Sequence, residues 1–388
     1  MALNTRVYSI DGNLLAEYSR NYGRMVQYGM DHEGYLDKDK TTNKRLFAIG
    51  SKGYIGIYPI NHNKSNSYEI DFYLFKDKSH WTYVSEDDDL YSKVTIIGVT
   101  DSLVFLKITK AKNSYDYFKQ VSQIDIVNIY TKKVVGSFKN DDDKILFYPE
   151  EIIITQGKPE IEVVGYYYDK EISDGYSMGF AAYSVSLTGK ILRKKFNVWE
   201  KDLAKYLPLE EGSQFSRLGY LLFEKVIYTN DEKIFLISEG YQGQHQKWIN
   251  QLTDVVIIEM DKNINIANAT VFQKIHNKTM LYFLQTKYLN VAAIELQSMG
   301  RFDYEFATND FEKSTFNVLF KDYLQKDGKE NLAYSNISYN DGKFTASKIN
   351  LNSKADVMKV FPAKAGSIMI FEYFKKEKRI DIRLEKLG

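Results

Sequence analysis

The sequence predicts an all-β protein, built as a β-propeller of about six four-stranded blades, with seven as the alternative count. Three observations predict this fold. Short β-runs recur in pairs around polar turns, apolar pairs alternate with more polar ones, and the aromatic residues are mainly 31 Tyr and 23 Phe, which favour strands. Two β-sandwich domains are the structural alternative, but even spacing without a linker favours a single domain over residues 1–388.

Paired strands with turn residues between them are the first of these observations. One hairpin joins residues 180–187 to 191–198 through Thr188-Gly189-Lys190. Glycine in such a turn adopts the positive φ that a tight hairpin needs. A second, more apolar pair of runs precedes most hairpins, as 94–99 and 103–108 precede the hairpin at 124–138. The repeating unit is therefore four strands, which we call A, B, C and D in chain order.

The order of hydrophobicity within the unit supports a propeller blade. The A and B runs are nearly continuous apolar stretches, as expected of strands buried on both faces, whereas the D runs are polar, as expected of outer edges. The predicted blades are residues 45–86, 94–138, 150–198, 221–274, 300–351, and 355–388 completed by 5–18. The N- and C-terminal segments are thus expected to close the ring. The alternative seventh blade falls within 280–306, where 288–299 also has helical periodicity, as has 200–206.

Composition excludes several classes of function. The formal net charge is +1, so the surface as a whole should not attract nucleic acid. The absence of cysteine excludes disulfides, thiolate nucleophiles and cysteine-ligated metals. No apolar run is long enough to span a membrane. The sequence has no phosphate-binding loop, nucleophile elbow or histidine metal motif, so we expect no cofactor beyond calcium and do not favour an enzyme. We expect a monomer.

The four-strand pattern resembles that of β-propeller proteins in general, without the motif of any one family. The Tyr-, Asn- and Lys-rich, cysteine-free composition resembles exported proteins of Bacteroidetes-type bacteria. That resemblance implies a periplasmic or secreted protein. The sequence starts at Met1 without a signal-peptide pattern, so export requires that Met1 replaces a removed signal peptide. The alternative is the cytoplasm.

Because the four strands of a blade run alternately up and down, its connections lie on two opposite rims of the propeller. We name each connection by the strands that it joins, so that a D–A crossing leads from one blade to the next. The B–C loops and the D–A crossings share one rim, and the A–B and C–D turns, which are rich in lysine, share the other. The D–A crossings are acidic, with two aspartate triplets that are candidate calcium ligands: Asp87, Asp88, Asp89, Asp141, Asp142 and Asp143. The alternative interpretation is solubility, because the spacing of a dedicated calcium loop is absent.

The long B–C loops carry aromatic side chains beside polar ones. The candidate ligand-binding residues are Tyr115, Tyr117, Tyr176, Tyr241, His245 and Trp248. Rings next to hydrogen-bonding groups are typical of surfaces that bind carbohydrate or peptide. The alternative is that these rings fold back and hold their own loops in place.

These loops make a binding protein for a glycan or a protein partner the leading hypothesis. A glycoside hydrolase or lyase is the first alternative, with carboxylates at the mouth of the central channel. The A strands carry few carboxylates, which counts against it. A structural scaffold of an envelope assembly is the second alternative.

Overall fold

A computed structural model describes most of the chain. The described residues are 2–8, 13–21, 46–49, 52–62, 65–74, 78–84, 91–111, 121–140, 142–155, 157–171, 177–210, 214–244, 249–280, 296, 301–326, 329–349, 351, 353–363 and 366–387.

Six antiparallel meander sheets follow one another along the chain, and we number them as blades 1 to 6. Blade 1 contains β3 (Leu46–Ala48), β4 (Gly53–His62), β5 (Ser65–Leu74) and β6 (Lys78–Val84). Blade 2 contains β7 (Tyr91–Val99), β8 (Leu103–Ala111), β9 (Val121–Asn128) and β10 (Lys133–Lys139). Blade 3 contains β11 (Ile145–Ile154), β12 (Glu160–Asp169), β13 (Gly179–Ser186) and β14 (Ile191–Val198).

The second half of the chain repeats the arrangement. Blade 4 contains β17 (Tyr220–Tyr228), β18 (Ile234–Gln244), β19 (Ile249–Met260) and β20 (Ile266–Phe272), and β21 (Asn277–Met280) also pairs with β19. Blade 5 contains β22 (Tyr304–Asp310), β23 (Thr315–Lys326), β24 (Lys329–Asn340) and β25 (Lys343–Ile349). Blade 6 contains β26 (Val357–Pro362), β27 (Ser367–Phe374) and β28 (Arg379–Lys386).

The six sheets form a propeller, which confirms the predicted fold class. The first strands of consecutive blades, β3, β7, β11, β17, β22 and β26, contact one another in that order and so lie innermost. The fourth strands lie outermost, and their side chains alternate between exposed and partly buried, as in β25. Neither a seventh blade nor a pair of sandwiches occurs in the described ranges.

Apolar side chains pack between blades rather than within one central core. Five clusters of buried residues lie at the contacts of blades 1 with 2, 2 with 3, 3 with 4, 4 with 5, and 5 with 6. The tyrosine run of β12 shows how one strand serves two contacts. Tyr166 and Tyr168 pack toward blade 4, whereas Tyr167 packs toward blade 2, because successive side chains of a strand point to opposite faces.

The connection from blade 3 to blade 4 contains non-sheet structure. A π-helical turn, Trp199–Leu203, occupies the segment whose periodicity is helical, and Trp199 and Leu203 are buried between the two blades. A small hairpin follows, formed by β15 (Leu209–Glu210) and β16 (Gln214–Phe215). Within the described ranges, no helix has the length and apolar character needed to cross a membrane.

The N-terminal hairpin consists of β1 (Ala2–Tyr8) and β2 (Leu14–Asn21), which pair along their whole length. Its two strands form a sheet of their own. Blade 6 keeps three strands in the described part of the chain. The pairing seen there therefore does not include the ring closure expected from residues 5–18.

Candidate functional site

Four innermost strands contain a β-bulge, at which one residue lacks a partner on the second strand of its blade. The extra residue is Ile97 in β7, but a glutamate in the next three blades: Glu150 in β11, Glu224 in β17 and Glu305 in β22. Bulges commonly redirect a side chain next to a functional site. The inner strands of blades 3, 4 and 5 thus carry carboxylates at related positions, contrary to the expectation that such strands hold few.

Lysines form ion pairs with two of these three glutamates, Glu150 and Glu305. Lys107 Nζ lies 3.3 Å from Glu150 Oε2, and Lys321 Nζ lies 3.4 Å from Glu305 Oε1. Next to the Glu150 bulge, Glu151 Oε1 lies 3.1 Å from Nζ of Lys225 on the adjacent blade. Burial raises the pKa of Glu150, and the charge of Lys107 opposes that rise. A glutamate that interrupts an apolar run, as in residues 145–154, was the feature of the sequence that could have indicated these inner carboxylates.

Tyr166 joins blades 3 and 4 at one of these bulges. Its hydroxyl donates a hydrogen bond to the Leu221 carbonyl (2.8 Å) and accepts one from the Phe223 amide (2.8 Å). Burial raises the pKa of Tyr166 well above its usual value, and the nearby charges of Glu150 and Glu224 raise it further. The phenol therefore stays protonated and satisfies two backbone groups of β17.

A cavity of about 510 Å³ opens where β11, β17 and β22 approach their A–B turns. Its apolar walls include Ile152 and Ile154 from β11, Ile227 from β17 and Ala307 from β22. The lining begins one or two residues beyond the bulges, so the glutamates lie next to its inner end. The cavity thus occupies the inner strands of three blades and faces the rim of A–B and C–D turns.

Polar and aromatic groups lie among these walls and at the mouth. Lys225 lines the cavity and is held by Glu151. The Asn309 side-chain amide donates a hydrogen bond to the Tyr228 carbonyl (3.0 Å). The Tyr228 and Phe311 rings stack with centroids 5.9 Å apart, and Phe311 is 40% exposed. Apolar walls with a few fixed polar groups are typical of small-molecule sites.

Of the six predicted ligand-binding residues, Tyr241 is the one within the described ranges. It lies on β18, is 4% exposed, and its ring faces that of Tyr220 at 6.5 Å. β18 ends at Gln244 and β19 begins at Ile249, so Tyr241 lies in a strand and not in the long B–C loop where it is predicted. Tyr115, Tyr117, Tyr176, His245 and Trp248 lie outside the described residues, and a role of these side chains in binding stays a prediction.

Two of the six candidate calcium ligands are described. Asp142 Oδ1 accepts hydrogen bonds from the amides of Lys144 and Ile145, both at 3.1 Å, and Asp143 is exposed. The Lys144 amide is the largest of the influences that hold the pKa of Asp142 below its usual value. Among the described residues, no group of three or more carboxylate or histidine side chains is placed to hold a metal ion. Asp87, Asp88, Asp89 and Asp141 lie outside the described ranges, so calcium binding stays a prediction.

A fully buried charge cluster lies between blades 4 and 5, toward the rim of B–C loops. Lys274 Nζ is 2.7 Å from Glu239 Oε1 and also contacts Asp303, and all three side chains are at most 1% exposed. The backbone amides of Asp303 and Tyr304 donate to Glu239 Oε2 at 3.2 and 3.4 Å. The cluster therefore fixes the D–A crossing onto β18, and its burial leaves no route for a ligand.

Glu239 should make the stability of this cluster depend on pH. Burial raises its pKa to about 7, with the charge of Lys274 opposing that rise. The unfolded value is about 4.3, so between these values the folded state holds a proton that the unfolded state releases. The stabilisation from this group is complete below the unfolded value and is lost as the pH rises through 7. We expect Glu239→Gln to flatten the fall in unfolding free energy over that range, measured by urea denaturation. An unchanged slope would contradict the assignment.

Comparison with known proteins identifies the family. The model of a family of unknown function, DUF6770, matches residues 1–250 and 249–388. No curated protein sequence matches the chain. A structural search finds similarity to the β-propeller domain of the Trilobed protease from Pyrococcus furiosus, with 10% identity over 89% of this chain and 81% of that one, at a TM-score of 0.40.

Drosophila Semaphorin 2a is similar with 8% identity over 91% of this chain and 77% of that one, at a TM-score of 0.33. Similarities at this level carry no argument about function. The family match, in contrast, covers the whole sequence. The chain therefore belongs to the DUF6770 family.

Proposed function

We propose that the protein is a binding module that holds a small amphipathic group, such as a sugar unit or an aromatic peptide side chain, in the cavity lined by β11, β17 and β22. The observation that carries the proposal is the cavity itself, whose volume of about 510 Å³ lies within the range of ligand pockets. We also propose that the protein is exported to the periplasm or the medium, and only its amino-acid composition supports this part of the proposal.

The lining supports binding of a group with both apolar and polar parts. Ile152, Ile227 and Ala307 offer apolar walls, while Phe311 presents an exposed ring at the mouth on which a sugar or aromatic face can stack. Ile152, Ile227 and Ala307 lie on three paired strands, so their positions are already fixed before a ligand binds. Glu150, Glu151 and Glu305 are each engaged with a lysine, which favours binding over catalysis by these three groups, while Glu312 adds a carboxylate to the lining.

A cavity-filling variant tests the proposal with anilinonaphthalene sulfonate, a fluorescent amphipathic probe. Ala307→Phe places a ring in the cavity and should abolish the saturable part of the fluorescence increase, because the walls would no longer admit the probe. Phe311→Ala should weaken probe binding about tenfold by removing the stacking surface. Oligosaccharides and short peptides can then be screened for displacement of the probe.

Matched variants distinguish the cavity from general effects of the substitutions. Ala269→Phe makes the same change at a partly buried alanine on the outer strand β20, and Tyr130→Ala removes an exposed ring from blade 2. Both controls should bind the probe as the wild type does. A folded Ala307→Phe protein with wild-type probe affinity would show that the cavity is not the site.

A further inference from the structure

β28, the outermost strand of blade 6, presents a row of exposed apolar side chains. Ile380, Ile382 and Leu384 are 55%, 63% and 62% exposed and lie on one face of the strand. Charged residues alternate with them on the other face: Arg379, Asp381, Arg383 and Glu385. Consecutive large apolar groups on an edge strand favour association with another strand.

The edge that carries this row has no strand beside it in the described pairing. β28 pairs with β27 on one side, whereas the third strand of every other blade is followed by a fourth. The N-terminal hairpin pairs within itself, and the apolar row stays exposed in its presence. Within the described ranges, no other strand covers the edge or the apolar row, so both can contact a second molecule.

Two copies of β28 are complementary when they pair antiparallel about a two-fold axis at Ile382. Residues directly opposite in such a pair share a face of the sheet. Ile380 then lies opposite Leu384, and Ile382 lies opposite its own symmetry mate. On the other face, Asp381 lies opposite Arg383 and Arg379 lies opposite Glu385, so each charged pair joins opposite signs.

The neighbouring registers are unfavourable. An axis at Asp381 would place Arg379 opposite Arg383, and an axis at Arg383 would place Asp381 opposite Glu385, so like charges would meet. A slip by one residue would place the apolar row opposite charged side chains. The axis at Ile382 is therefore favoured over the neighbouring registers for self-pairing.

We propose that the protein forms a two-fold symmetric homodimer by edge-to-edge pairing of β28, which joins two copies of blade 6 into one six-stranded sheet. Such an interface is isologous, because the same strand serves both copies. The contact of two strand edges is small compared with the roughly 1,600 Å² of standard interfaces, so dimer formation depends on concentration.

The absence of cysteine allows a direct test of the register. In Ile382→Cys the two introduced thiols face one another across the axis at cross-strand distance, which a disulfide can bridge after small adjustments. Mild oxidation should give a covalent dimer on a non-reducing gel. Leu192→Cys, on the outer strand of blade 3 and 51% exposed, should remain monomeric under the same conditions.

Charge reversal tests the same register without a covalent bond. Arg379→Glu should weaken dimer formation at least about tenfold in sedimentation equilibrium, because two like-charged pairs would form by symmetry. The double variant Arg379→Glu/Glu385→Arg should restore it. Both side chains are partly exposed, at 52% and 41%, so folding should be little affected. A wild type that remains monomeric at its highest soluble concentration, with no cross-link at residue 382, overturns the proposal and leaves the N-terminal hairpin as the occupant of this edge.

Discussion

Replacing Lys274 with methionine is expected to lower the free energy of unfolding by about 3–5 kcal/mol. The ammonium group is fully buried between Glu239 and Asp303. Methionine preserves most of the side-chain volume, but it leaves Glu239 and Asp303 buried without the ammonium group that both contact. Removal of one partner from a buried ion pair is costly because the remaining charge has lost its contact with water. Urea denaturation at neutral pH measures the loss.

A partly exposed lysine provides the control for this substitution. Lys233 Nζ lies 2.8 Å from Glu259 Oε1, and the lysine side chain is 35% exposed. Lys233→Met should therefore cost about 1 kcal/mol or less, since water can solvate the remaining carboxylate. Equal losses in the two variants would show that burial of the Lys274 cluster does not determine its contribution.

Removal of the Tyr166 hydroxyl is expected to cost about 2–4 kcal/mol, although Tyr166→Phe deletes a single atom. The hydroxyl serves both the Leu221 carbonyl and the Phe223 amide, and Tyr166 is completely buried. Each buried backbone group left without a partner costs about 1–3 kcal/mol. The phenylalanine ring would still stack on Phe223, whose centroid lies 4.2 Å away, so the loss isolates the hydrogen bonds.

Tyr183 gives a matched comparison within the same blade. Its hydroxyl makes a 3.3 Å hydrogen bond to Oδ1 of Asn140, a side chain that is only partly buried. Tyr183→Phe should cost about 0.5–1.5 kcal/mol, because Asn140 can bond to water instead. Thermal or urea unfolding of both variants compares the two losses. If Tyr166→Phe proved as mild as Tyr183→Phe, the inter-blade role of the Tyr166 hydroxyl would be wrong.

The fold could be predicted because its determinants are local. The turn Asn340-Asp341-Gly342-Lys343 marks a hairpin, and Asp341 and Gly342 indeed adopt positive φ of 49° and 76°. Successive side chains of a strand point to opposite faces, which likewise explains why adjacent tyrosines of β12 pack against different blades. These patterns repeat in each blade, so a wrong prediction for one blade does not change the predicted architecture.

The cavity and its neighbouring carboxylates could not be predicted in the same way. A bulge at Glu150 or Glu224 depends on pairing with a strand elsewhere in the chain, and the run of residues on one strand does not show it. The partners of Lys274 are also remote in sequence, since Glu239 lies on β18 and Asp303 lies just before β22. Tyr241 is predicted to lie in a long B–C loop, whereas pairing with β19 extends β18 as far as Gln244.

The location of the apolar clusters between blades has a consequence for how the protein loses structure. Blades 2 to 5 each contribute to two of the five described clusters, whereas blades 1 and 6 each contribute to one. Stability in such an array is a sum of nearest-neighbour couplings, as in repeat proteins. Local unfolding should therefore begin at blades 1 and 6 and proceed toward the middle of the series. The amide hydrogens of blades 3 and 4 should exchange last. The residues around the cavity would then belong to the most slowly exchanging part of the ring.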